Sequence, residues 1–198
     1  MNRRSLWIAL AALLVLAVAV TFLVWRRGAV EEQQETSAEE VSPVAEGSPA
    51  AASIVAELYF PDGGEWLHAE RREVPASDRA EAQIATLVET LIAGPRSAGL
   101  VSPLPESVAV RTVYKLDGEV VLDLESPDAA PPPSGSQREM LTVYSLVNTV
   151  LLNTEDADRL VLLWNGQQPE TFAGHLDTAR PLSANRGLIA RDPAAGSS

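Results

Sequence analysis

Cysteine is absent from the 198 residues. That absence excludes disulfides, thiolate metal ligands, a cysteine nucleophile and the lipidated cysteine of a lipoprotein. Histidine is nearly as scarce, with His68 and His175 far apart in the chain and no other clustered ligand beside them. Such spacing gives no metal-site signature. Aromatic residues make up 5% of the sequence, and 15 basic residues stand against 27 acidic ones for a formal net charge of -12. A chain so acidic is repelled by phosphate backbones and anionic lipid surfaces, which argues against nucleic-acid binding and against an electrostatic membrane contact. No glycine-rich phosphate loop precedes a helix. Gly94-Pro95-Arg96-Ser97-Ala98-Gly99 has the spacing G-x-x-S-x-G, one residue too long for a nucleophile elbow, and follows a helical pattern where that elbow needs a strand. Asp123 and Glu125 share one side of a strand, but in so acidic a chain they read as a solvated face. No catalytic residue, metal or cofactor is expected.

What the sequence does have is an uncharged apolar run from Leu6 to Trp25, LWIALAALLVLAVAVTFLVW. Twenty such residues at ~1.5 Å rise span a ~30 Å hydrocarbon layer as a helix. A cleaved signal peptide would have a shorter core and small residues at its end, whereas this run closes on Phe22-Leu23-Val24-Trp25 and then Arg26-Arg27. Residues 6–25 are therefore expected to be an uncleaved transmembrane anchor in the inner membrane. Residues 1–5 fall on the cytoplasmic side, where Arg3, Arg4 and the free amino terminus add positive charge, and the rest is extracytoplasmic. Residues 26–53 are rich in Glu, Ser, Ala and Pro beyond the arginine pair, and read as a flexible acidic linker. Residues 54–190 read as one folded domain and 191–198 as a disordered tail.

Within the domain, Ile54 to Phe60 reads as a strand, turned by Pro61-Asp62-Gly63-Gly64 into a short charged edge strand somewhere in Glu65 to Val74. Ala80, Ile84, Leu87, Val88 and Leu91 recur at helical spacing, with Asp78 and Glu81 placed for a capping box and Gly94-Pro95 as the stop. Arg96 to Pro105 reads as an extended, packed loop. Ser107 to Leu116 and Val120 to Leu124 form a hairpin across Asp117-Gly118. A two-residue turn would pair Arg111 with Leu124, so a three-residue loop or a bulge is expected, pairing Tyr114 with Leu122. A second capping box, Ser136 with Glu139, opens a long helix whose buried stripe is Met140, Val143, Val147, Val150 and Leu151. Arg159 to Trp164 reads as an interior strand ending at the Asn165-Gly166 turn. The expected fold class is α+β, a mostly antiparallel sheet with two helices on one face in the split β-α-β manner, preceded by the transmembrane helix.

Several segments resemble one family. Leu91-Ile92-Ala93-Gly94-Pro95 with Gly99-Leu100 and Pro103-Leu104-Pro105, Gly135-Ser136 before a helix carrying Ser145-Leu146-Val147-Asn148-Thr149, and Asn165-Gly166 leading to Gly174-His175-Leu176-Asp177 and Pro181-Leu182 resemble the GerMN domain of sporulation and spore germination proteins. The resemblance covers about Ile54 to Leu188. It implies an envelope domain related to ring-building domains, with no established catalytic residues. The sporulation proteins of this kind are typically lipoproteins with two such domains, whereas this sequence carries one copy, no cysteine and an apolar anchor.

The residues thus point to a membrane-tethered extracytoplasmic interaction module of the bacterial envelope, not an enzyme, with an envelope protein or a second copy as partner. Envelope assembly or a sporulation- or germination-related process is its expected setting. The alternative is a peptidoglycan-binding module or an accessory to a cell-wall-modifying enzyme. Tyr59 and Trp66, on an open sheet face with edge strands nearby, are the candidate binding aromatics. Gly94, Pro95 and Gly174 are motif positions. Asn148 sits in a polar patch of the second helix, where bonds to nearby backbone are the commoner outcome. His175 and Asp177 could join His68 around a metal, but a loop histidine bonded to backbone is the more economical reading.

Overall fold

The computed structural model describes residues 52–132 and 134–191. The proposed anchor, most of the linker and nearly all of the tail lie outside the described residues, and among the described residues no helix is long and apolar enough to cross a membrane. The chain runs β1 (Ser53–Pro61), β2 (Leu67–Pro75), α1 (Ala80–Ile92), β3 (Ala109–Leu116), β4 (Glu119–Glu125), α2 (Ser136–Asn153), β5 (Arg159–Trp164) and a 3₁₀ turn at Arg186–Leu188. Both helices, and β5 to the residue, fall where periodicity placed them.

The α+β class holds, but the single mostly antiparallel sheet does not. β1 and β2 form a two-stranded antiparallel sheet, while β3, β4 and β5 form a second sheet in which β4 and β5 are parallel. The cause is topological. α2 intervenes between β4 and β5, and a crossover of that length returns the chain in parallel. α1 packs on β3 and on both strands of the first sheet, α2 packs on β1 and β5, and the helices touch each other. The main core joins Leu58 and Phe60 of β1, Leu87 and Leu91 of α1, Leu122 and Leu124 of β4, Leu146 and Val150 of α2, and Leu160 and Leu162 of β5.

Three local expectations need correction. β2 is a full nine-residue strand, paired along its length with β1. It is an edge strand as Trp66, His68 and the Arg71-Arg72 pair suggest, but only Arg71 of that pair is exposed, while Arg72 faces inward and pairs with Glu70. The β3–β4 hairpin closes through the two-residue turn Asp117-Gly118, both at positive φ (46° and 82°), and pairs Lys115 with Val120. Right-handed strand twist favours that turn over the three-residue loop, Tyr114 pairs with Val121 and not Leu122, and of the two expected alternatives it is a bulge, set between Val110 and Thr112 and away from the turn, that removes the charge conflict. The bulge lets Val110 and Val113 both pack against the core while Arg111 reaches the Asp123 carboxylate at 3.5 Å. Neither capping box forms. The N-caps are Arg79 and Gly135, with no side-chain cap bond at either. Gln83 ties down the entry to α1 by accepting from Ser77 N–H (2.8 Å) and donating to the Pro75 carbonyl (3.2 Å).

Candidate functional site

Glu139 has no exposed surface. It projects from the first turn of α2 and receives the N–H groups of Ala173 (2.7 Å), His175 (3.0 Å) and Leu176 (2.9 Å), with His175 Nδ1–H donating at 2.8 Å. Gly174, at φ 110°, gives the loop the curvature that turns these groups onto one carboxylate. Burial alone would raise its pKa, but the converging donors hold it below the usual carboxylate range. Asp177 takes no part in this cluster. Its Oδ1 accepts from Ala179 N–H at 3.0 Å and shapes the turn.

A second clamp of the same design holds the Gly94-Pro95 motif. Glu70 accepts from the N–H groups of Arg96 (3.1 Å) and Ser97 (2.9 Å) and pairs with Arg72. Arg72 donates to the Gly94 carbonyl at 2.8 Å and lies over the Phe60 ring. Burial pushes Glu70 upward, yet the bonds from Ser97, Arg72 and Arg96 bring its pKa down to about 2.

The polar patch of α2 has a third structural task. The ladder bonds between β1 and β2 use even-numbered residues, so odd-numbered ones turn their N–H and C=O groups outward. On β1 those groups meet α2. Asn153 accepts from Glu57 N–H (2.9 Å) and donates to the Glu57 carbonyl (2.7 Å); Thr149 accepts from Tyr59 N–H (3.0 Å), and Ser145 donates to the Tyr59 carbonyl. At the end of the strand, Val101 N–H reaches the Pro61 carbonyl at 2.9 Å. Spaced four apart, the three helix side chains occupy one edge of a strand as a neighbouring strand would. Asn148, fully buried, exchanges two bonds with the Asn185 backbone (2.8 and 3.0 Å) and fastens the C-terminal segment.

Tyr59 is therefore not an exposed aromatic. It is 3% exposed, packs with Leu67 and Leu141, and donates its hydroxyl to Glu57 at 3.0 Å. Burial, with the bond and charge of Glu57, raises its pKa to about 12. Trp66 does stand out, 44% exposed beside the β1–β2 turn, where its N–H donates to Asp62 at 3.3 Å. Asp62 holds His68 at 3.3 Å, so the two histidines have different carboxylate partners. Among the described residues no three metal-ligating side chains converge. Sequence reasoning missed Glu70, Arg72 and Glu139. For Glu139 a signal existed, since it lies four and seven residues before Val143 and Leu146, on the buried stripe.

Two surfaces remain. The face of β3–β4–β5 turned away from the core carries Tyr114 (61% exposed) and Leu116 (72%), with Val121, Val161 and Leu163 half-buried beside them. A shallow depression of about 580 Å³ runs over Tyr114, Leu116 and Val121, rimmed by Lys115, Glu119 and Arg159. All-parallel sheets are covered on both faces and antiparallel ones often on one; in this mixed sheet the described residues leave this face open. A second cleft, about 500 Å³, lies between the β1–β2 turn at Gly63-Gly64, the loop at Pro103-Leu104 and the start of α2 at Gln137-Arg138.

Fold and clamps together define a small α+β domain braced by buried carboxylates. The family model described as Germane, sporulation and spore germination, matches residues 57–170. The chain belongs to that family. Among solved structures it is similar to the tandem GerMN domains of the sporulation protein GerM from Bacillus subtilis, with TM-score 0.54 and 18% identity over 79% of this chain and 51% of that one. The first GerMN domain of the same protein gives TM-score 0.52 and 21% identity over 68% of this chain and 98% of that one. A candidate lipoprotein of Clostridium perfringens gives TM-score 0.48 and 19% identity over 75% of this chain and 93% of that one. Among curated proteins, none matches.

Proposed function

We propose that this chain is a membrane-tethered, extracytoplasmic interaction module of the cell envelope, without catalysis of its own, that meets an envelope protein through the uncovered face of β3–β4–β5. The observation that carries the reading is the apolar strip on that face, where Tyr114 and Leu116 stand exposed beside the half-buried Val121, Val161 and Leu163, flanked by Glu119, Arg159 and Asp123. Burying such side chains against a partner contributes roughly 1.5–3 kcal/mol each. The polar groups of the family motifs give no competing chemistry, because they bind loops and strand edges inside the domain. The apolar run Leu6 to Trp25 between arginine pairs supports the tether, and the sequence offers no cysteine for lipid attachment in its place. The test is a photo-reactive benzophenone side chain at Tyr114 of the full chain, activated in intact cells. An adduct with one envelope protein is expected, absent when the probe sits at exposed Glu106. Equal labelling from both positions, or none from Tyr114, overturns the reading.

A peptidoglycan-binding role is the second reading, favoured by the cleft at Gly63 and Arg138, whose size and mixed lining suit a small polar ligand. Retention of the full chain, in detergent, by purified sacculi, lost in Arg138→Ala, would favour it. No retention would remove it.

A further inference from the structure

The outward edge of β1 is occupied by α2, but the outward edge of β2 is not. The Leu67 carbonyl accepts from Ala190 N–H at 2.8 Å, and Pro75 has no N–H and gives its carbonyl to Gln83. Between these stops the outward N–H and C=O groups of Ala69, Arg71 and Glu73 have no partner among the described residues, and all three residues are exposed. A bare strand edge is a template for another strand, and charges along it select against most comers. Here the charges alternate along the edge, Arg71 then Glu73. Arg71 reaches across its own sheet to Glu57 at 3.1 Å, yet its side chain stays 77% exposed, and among the described residues the Glu73 carboxylate accepts a hydrogen bond from Ser53 alone, at 3.4 Å.

We propose that this edge pairs with the same edge of a second copy of the chain, antiparallel, in the register that sets Arg71 opposite Glu73 of the other copy. The two-fold axis then passes beside Arg72, and both cross-strand pairs join opposite charges. The outward backbone groups of Arg71 and Glu73 are satisfied in both copies. Moving the register by two residues one way opposes Arg71 to Arg71, and the other way Glu73 to Glu73, each destabilising. The edge is thus self-complementary in one register and repels itself in the neighbouring ones. A contact so narrow falls below the area of stable interfaces, so it is best trapped covalently.

The absence of cysteine makes the trap clean. In the proposed register residues 71 and 73 of opposite copies form a hydrogen-bonded pair with Cα atoms ~5.5 Å apart, within disulfide reach. Like residues lie on the diagonal, ~7–8 Å apart. Full chains carrying Arg71→Cys and Glu73→Cys, one bearing a mass tag, are mixed in detergent and oxidised. The mixed disulfide keeps the other Arg71–Glu73 pair intact and should form roughly tenfold more readily than either homodimer. Comparable yields from all three combinations, an excess of the residue 71 homodimer, or no dimer at all overturns the proposal. Sedimentation at high protein concentration, where a weak dimer is populated, provides an independent check. R71E should reduce the dimer fraction and the double variant R71E/E73R restore it. Both variants lose the Arg71–Glu57 pair and should share the same small fall in thermal midpoint, so the difference in dimer fraction between them reports the edge contact. Failure of the double variant to restore it also overturns the proposal.

Discussion

Glu139 is the residue on which the Gly174-His175-Leu176-Asp177 loop depends. A buried carboxylate is costly unless its lone pairs are filled, and four donors fill them here. Glu139→Ala leaves three loop N–H groups without their acceptor and should destabilise the domain by about 3 kcal/mol, read as a lower urea midpoint. His175→Ala removes one bond from a half-exposed ring and should cost about 1 kcal/mol. Acid should act through the same groups. Glu70, at about 2, and Glu139 both titrate lower folded than unfolded. Their contribution is therefore complete above the unfolded value of about 4.5, and is lost as pH falls through the folded values. Urea midpoints should hold from pH 7 to about 5 and drop steeply toward pH 3. In the double variant Glu70→Gln, Glu139→Gln the midpoint should be lower at pH 7, and the drop shallower.

At the level of elements, α2 does for β1 what a third strand would do. Thr149→Val keeps the shape but removes the acceptor of the buried Tyr59 N–H, at a cost of about 1–3 kcal/mol. Hydrogen exchange should report it locally, with faster exchange at the Tyr59 amide and little change at Phe60, whose amide faces β2. This arrangement also explains which parts were legible in the sequence. Ile84, Leu87, Val88 and Leu91, with Gly94-Pro95 behind them, define α1 because apolar spacing and a breaker agree, and RLVLLW reads as interior because it is. β2 was not legible at its true length, because Arg72 is charged yet buried and its partner Glu70 is half-buried, and only their partners, more than twenty residues away in the chain for Gly94, Arg96 and Ser97, reveal why. Glu139 resembles a capping residue by spacing from Ser136, and local pattern carries no word of a loop 34 residues downstream. Tyr59 failed for the reverse reason. Alternation placed it on a face, but the segment that covers the face, at Leu188 and Ile189, comes from the far end of the chain.

Taken whole, the molecule offers two surfaces with different physics, and they can be separated by salt. The β2 edge depends on Arg71 and Glu73, solvent-exposed charges whose attraction falls as the Debye length shrinks from ~10 Å at 0.1 M to ~3 Å at 1 M salt. The β3–β4–β5 face depends on Tyr114, Leu116 and Val121, whose burial is indifferent to screening and is strengthened by excluded salts. Raising salt should therefore weaken the mixed disulfide trap while leaving photo-capture from Tyr114 intact. The face can also be tested without touching the fold. Leu116 is 72% exposed and outside the core, so Leu116→Asp, set opposite Glu119 in the hairpin, should lower unfolding free energy by only about 1 kcal/mol or less. It would nevertheless place a carboxylate at the centre of the proposed contact, beside Glu119, where binding would have to desolvate it. Capture by the Tyr114 probe should then fall at least tenfold while the domain stays folded, as expected for a desolvation penalty above about 1.4 kcal/mol. Undiminished capture in Leu116→Asp would mean that the partner sits elsewhere on the domain.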